Sequence, residues 1–252
     1  MTTLVPPIRP RRPSEVLADA LSLYLERFGP LFLVSVVAEL AAFALGGLRP
    51  VSGALPWSGH PARAVPLHAT PSLALRGLLA GLLYLGAVVA CTAHVAEAAE
   101  GEPNLTLVPP RTWARYVPAL GTTVLAGLGE LAASIAFLIP GLVLAVWWAV
   151  ALPVAVLEDL PPARALGRSR ALVRGRFWHT LGVVLLGSLV NLLASLVLGV
   201  VLSVLAGILL GRAAHQALGL VAAVGSALIL PYGVALLTVL YFDLRGRDEA
   251  MV

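Results

Sequence analysis

The chain has 252 residues, 59% of them hydrophobic and only 12% charged, and its mean hydropathy of +0.93 excludes an ordinary soluble domain, whose surface needs far more charge. Its 17 basic residues, all Arg, outweigh 13 acids for a formal net charge of +4. A single Cys91 excludes an intrachain disulfide and any multi-cysteine zinc or iron-sulfur site.

At the N-terminus, Arg11 and Arg12 are followed by Ser14, Glu15 and Asp19 rather than by an apolar run. The sequence therefore predicts neither a cleavable nor a twin-arginine signal, and the first apolar segment is expected to stay as a membrane span. Long apolar runs bounded by Pro, Gly or charge predict six spans, at 30–48, 72–95, 117–139, 141–158, 177–210 and 217–243. The third and fourth are separated only by Ile139, Pro140 and Gly141. One helix over 117–158 would be about 63 Å long, roughly twice a bilayer core, so a tight hairpin is expected.

Arginine placement predicts the orientation. One side of the six-span arrangement collects 13 arginines, among them Arg9, Arg11, Arg12, Arg27, Arg111, Arg115, Arg245 and Arg247, and the other has Arg49, Arg63, Arg76 and Arg212. Both termini are expected on the richer, cytoplasmic side. The expected domains are a cytoplasmic N-terminus with an interfacial helix at 1–29, a membrane domain at 30–243 and a cytoplasmic tail at 244–252.

An internal repeat is expected as well. Spans one, three and five are approached by RFGPLF from Arg27, RYVPAL from Arg115 and RFWHTL from Arg176, each with a proline upstream: Pro13, Pro110 and Pro162. The predicted fold is an all-α membrane protein of six transmembrane helices in three units, each an interfacial helix followed by a helical hairpin. In the third unit, Arg164, Arg168, Arg170 and Arg174 share one side of a helix, opposite Ala165, Leu166, Leu172, Val173 and Phe177. Such a helix rests in the headgroup plane, where each Arg near an anionic leaflet contributes about 1 kcal/mol. Trp113 and Trp178 suit an interfacial aromatic belt.

The runs IPGLVLAVWWAVALPVAVLED (139–159), ALGRSRALVRGRFW (165–178) and LLTVLYFDLRGRDEA (236–250) resemble the multi-pass membrane domain attached to some glycerophosphoryl diester phosphodiesterases. Stand-alone bacterial inner-membrane proteins, YciC-like proteins among them, are similar. The resemblance implies six helices in a bacterial plasma membrane. It does not imply phosphodiesterase activity, which in fused relatives belongs to a separate soluble barrel.

Polar residues inside spans are the candidates for chemistry. Glu39 and Glu130 each lie nine residues from the outer end of their predicted span, with Arg76 the cation within reach. A carboxylate there costs about 2.5–3.5 kcal/mol, so it faces the bundle, takes a proton or finds a partner. The cluster reads either as a proton, cation or headgroup site or as a clamp between helices. Span five carries Gly187, Asn191, Ser195, Gly199, Ser203, Gly207 and Gly211 at every fourth residue, a groove that packs helices closely, forms a dimer seam or binds lipid. Pro231, Tyr232 and Gly233 interrupt span six.

His60, His68, His94, His179 and His215 have no metal-ligand spacing, and no phosphate loop or nucleophile elbow occurs. Glu130, Glu158, Asp159 and His179 are conceivable acids or bases without a constellation. The expected function is non-enzymatic, with no catalytic residue, cofactor or metal: an accessory or envelope-homeostasis factor touching membrane lipids, a membrane-protein partner or a second copy, and no nucleic acid. The alternatives are a transporter or lipid translocator using the intramembrane carboxylates, and an intramembrane enzyme.

Overall fold

The computed structural model describes residues 11–45, 71–100, 110–136, 138–210 and 214–249, which are helical throughout apart from short connections. Arg49, Arg63, Gly211, Arg212, His60 and His68 lie outside the described residues.

Proline punctuation sets the short helices. Arg12 is extended, Pro13 opens α1 (Pro13–Glu26), and the Glu15 carboxylate accepts from the Arg12 backbone N–H at 2.9 Å. The chain then bends by 83° at Arg27 into α2 (Phe28–Ala44). The same grammar recurs at α7 (Pro162–Val173), where Pro161 is extended and Pro162 occupies the first turn. Gly175, at φ +81°, makes the left-handed turn that joins α7 to α8 (Phe177–Leu210).

The remaining helices are α3 (Pro71–Glu100), α4 (Pro110–Ala136), α5 (Leu138–Trp147), α6 (Ala151–Leu157) and α9 (Ala214–Glu249). Five helical segments are long and apolar enough to cross a membrane, with α5 and α6 together forming one of them; the count is six if the bent pair α1–α2 is one broken span. Alone, α2 has 17 residues, about 26 Å of helix and short of a bilayer core.

The hairpin expected at Ile139–Gly141 is present between α4 and α5. A Cβ on Gly141 would meet Ser134, and one on Gly129 would meet the Trp148 ring, so α4 and α5 run antiparallel. Pro140 falls in the first turn of α5, where a missing N–H costs nothing. In the middle unit Pro110 opens α4 itself, and the helix runs unbroken through Arg115; no separate short helix precedes it among the described residues.

The centre of the bundle is α9, buried without interruption from Ile229 to Tyr241. Helices α1, α2, α3 and α8 all pack on it. The stripe Val16, Ala20 and Leu23 buries α1, and α1 lies along α9: the Arg11 carbonyl meets Arg247, while the Tyr24 hydroxyl donates to the Leu228 carbonyl. By contrast, α8 is exposed over most of its circumference, with Leu185, Leu189, Leu192, Leu196 and Val200 facing outward. A helix apolar all round and open to the surroundings suits hydrocarbon as its solvent.

Candidate functional site

Arginine-rich sequence at the ends of α6, α7 and α9 and the start of α8 folds into one polar network. Glu158, at the α6 C-terminus, accepts from the Tyr241 hydroxyl at 3.0 Å and from Arg168 Nε at 3.3 Å. Arg168 also bonds Asp248 at 2.9 Å. Burial works against the Arg168 charge, but the Asp248 hydrogen bond and the Glu158 and Asp248 carboxylates more than offset it, holding the guanidinium above its ordinary range.

A second group sits on the opposite face of α9. His179 Nε2 lies 3.1 Å from Asp243 Oδ2, and Arg247 Nε lies 2.9 Å from the same oxygen, an ion pair whose N–H is not aligned for a hydrogen bond. Arg247 also donates to the Arg11 carbonyl, and its own carbonyl accepts from Arg176. Asp243 is 4% exposed. The group thus ties α8, α9 and the approach to α1 together through one buried carboxylate. Next to Glu158 in the chain, Asp159 adopts φ +54° and pairs with Arg115 at 3.0 Å.

This geometry holds charge. His179 Nε2 already faces Asp243 and Arg247, and among the described residues no Ser, Thr or Cys side chain is recorded bonding to that nitrogen. Nor do the described residues include three His, Cys, Asp or Glu side chains grouped to hold a metal.

The four arginines expected to face headgroups divide into two pairs. Arg164 and Arg174 are exposed without a partner among the described residues, and Arg170 is exposed too. Arg168 turns to its acids, and Arg170 stacks over the Trp147 ring at 4.3 Å. At about 100° per residue from Arg164, the buried face of α7 centres on about 140°, with Arg164 and Arg174 opposite at about 0° and 280°. Arg168 and Arg170, at about 40° and 240°, flank the apolar stripe, where neighbouring helices supply partners. The headgroup expectation for Arg168 is therefore corrected.

Glu39, Arg76 and Glu130 do not assemble. Glu39 is buried and in electrostatic contact with Tyr84 of α3. Arg76 is exposed eight residues before Tyr84, about 12 Å along the helix. Glu130 lies on α4, eleven residues or about 16 Å beyond Ala119, where α4 packs on Leu85 and Val89 of α3. With α3 between α2 and α4, the two acids sit apart, and Glu130 has no ion pair among the described residues.

The small-residue line on α8 is corrected over its outer half. Gly187 packs under Leu236 and Asn191 is buried, but a Cβ on Gly199 or Gly207 would meet nothing within 4 Å and Ser203 is exposed. Each four-residue step advances about 40° around a helix, so a line facing α9 at Gly187 has turned away by about 120° at Gly199.

The family described as Domain of unknown function (DUF8558) matches residues 114–245, just over half of the chain. The chain belongs to this family. No curated protein and no solved structure matches it. The DUF8558 match runs from within α4 to Arg245 in the last turns of α9 and takes in Glu158, Arg168, His179, Tyr241 and Asp243; Arg247 and Asp248 lie just past its end.

Three network members, Tyr241, Asp243 and Asp248, were not singled out by sequence reading. The signal was present: Tyr241, Arg245 and Glu249, and Asp243 with Arg247, follow one another at four-residue spacing on one helix. Nothing in the sequence says that Glu158 and His179 meet them.

Proposed function

We propose that the chain is a non-catalytic, multi-pass protein of a bacterial plasma membrane, with both termini cytoplasmic, that binds anionic lipid headgroups at its basic end and serves as an accessory or envelope-homeostasis factor. The observation that carries this reading is the exposure of Arg164 and Arg174, for which no ion pair or hydrogen bond is recorded among the described residues, while their neighbours Arg168, Arg170 and Arg176 are occupied. An exposed guanidinium at a membrane surface finds its counter-charge in phosphate, which it can grip with two parallel hydrogen bonds. Trp178 and Trp113, 80% and 74% exposed, stand at the starts of α8 and α4 as aromatic rings do at headgroup level. The resemblance to the phosphodiesterase membrane domain and YciC-like proteins fits the same setting.

We also read the fold as three units of one design. The first and third keep a constant offset of 149 residues at the start of the short helix (Pro13, Pro162), at the start of the outgoing helix (Phe28, Phe177) and at the end of the return helix (Glu100, Glu249). The short helices dock alike: Pro13 of α1 faces Gly182 of α8, and Pro162 of α7 faces Gly121 of α4. Gly121 and Gly182 each lie six residues past the arginine of their unit, Arg115 or Arg176.

The functional reading is tested in nanodiscs of mixed zwitterionic and anionic lipid. Replacing Arg164 and Arg174 together with Gln should lower the anionic lipid retained by the purified protein without loss of folding. Retention equal to that of the unaltered chain sinks the headgroup reading.

A further inference from the structure

A buried amide faces the α8–α9 seam with nothing to bond. Gly187 packs under Leu236 and Gly225 under Leu198 and Leu202, so the two helices run antiparallel, with Asn191 level with Tyr232 and Ser195 level with Leu228. Asn191 is 1% exposed. Neither its amide oxygen nor its nitrogen has a hydrogen-bond partner, and the buried Ser195 hydroxyl one turn further on has none either. A carboxamide offers two donors and two acceptor lone pairs, and leaving all of them unmade away from water is costly.

The surroundings restrict what can fill the gap. From Thr180 to Leu210 on α8, and from Leu220 to Leu240 on α9, there is no Asp, Glu, His, Lys or Arg. A charged group bound there would lack a counter-charge, so the ligand's polar end is neutral. Past Asn191 the line of small residues leaves α9: Ser195 is half-buried, Gly199 and Ser203 are exposed, and a Cβ on Gly199 or Gly207 would touch nothing within 4 Å. The outward-facing Leu196 and Val200 border this line. The line thus runs from the orphaned amide to the apolar outside of the bundle.

The geometry points to a binding site for a lipophilic molecule with one neutral hydroxyl or carbonyl head: the head bonds Asn191 and Ser195, and the chain lies along Gly199, Ser203 and Gly207. An amide both donates to a carbonyl and accepts from a hydroxyl, so a single-headed alcohol or ester satisfies it. The small residues leave room for a chain that Leu at those positions would block. This site uses none of the arginines of the basic end and stands or falls separately from the headgroup reading.

The test is thermal unfolding of the full chain in detergent with 1-hexadecanol as probe and hexadecane as the apolar control. Hexadecanol at about a hundredfold excess over its Kd should raise Tm by about 5–10 °C, hexadecane should not, and Asn191→Leu should abolish the response. Asn191→Leu keeps the branching at Cγ and removes the orphaned amide, so it is expected to fold. Gly199→Leu, which touches no other helix, should weaken the response by blocking the line of small residues, and it serves if Asn191→Leu does not fold. An equal response to both probes, a response that survives Asn191→Leu or Gly199→Leu, or none at all, the amide then holding only water, overturns the proposal.

Discussion

Pro162 rests on Gly121 so closely that a Cβ at residue 121 would lie 2.5 Å from the proline Cγ. The proline ring is rigid and tied into the first turn of α7, so neither side can give. Gly121→Ala is expected to destabilise the protein by about 1–3 kcal/mol, the usual cost of overpacking, offset in part by the helix propensity of Ala, worth about 1 kcal/mol over Gly. At the related contact a Cβ on Gly182 would lie 3.8 Å from Pro13 Cγ, ordinary van der Waals distance. Gly182→Ala should therefore leave Tm unchanged or raise it, and thermal melts of the two variants in one detergent make the comparison.

The line of small residues on α8 separates by position. Gly187→Leu drives a side chain into Leu236 and should lower stability by about 1–3 kcal/mol. Gly199→Leu meets open space and should be neutral within about 0.5 kcal/mol. Equal melting losses for the two would mean that α8 packs along its whole length.

Asp243 carries more of the bundle than the exposed pair beside it. Its carboxylate is shared by His179 and Arg247 with only 3% of the side chain exposed, and removing one partner of a buried pair typically costs about 3–5 kcal/mol. Asp243→Ala should therefore destabilise strongly and, by freeing Arg247 from its hold near the Arg11 carbonyl, speed proteolysis ahead of α1. Arg245 and Glu249 pair at 2.8 Å with 45% and 64% of their side chains exposed. Breaking that pair should cost no more than about 0.5 kcal/mol, as chemical denaturation can read.

On α7, two arginines of one helix should behave differently. Arg168→Gln removes the bond to Asp248 and leaves Glu158 with only the Tyr241 hydroxyl, so it should lower Tm. Arg164→Gln should not lower Tm, and its effect should appear in bound anionic lipid. Matched melts and lipid analysis would expose any exchange of these roles.

Much of the helix plan was legible because it depends on local physics. Apolar length marked the spans, Pro13 and Pro162 marked helix starts, and a 42-residue run too long for one bilayer marked the α4–α5 turn. The candidate site was less legible. The depth of Glu39 and Glu130 along their own helices follows from counting residues, yet α3 lies between those helices, and no count along one helix reveals that.

By itself the sequence determined a helical, membrane-length chain with its arginines gathered at one end, since hydropathy, proline and charge act over a few neighbouring residues. Tertiary structure alone decided that α1 lies along α9, that Arg168 finds Glu158 and Asp248 while Arg164 and Arg174 stay exposed, and that Asn191 is buried without a partner. A helix presents residues all around its axis, and the face that becomes buried depends on where its neighbours stand. The drift of about 40° per four residues is why one line of small residues on α8 begins against Leu236 and ends facing outward.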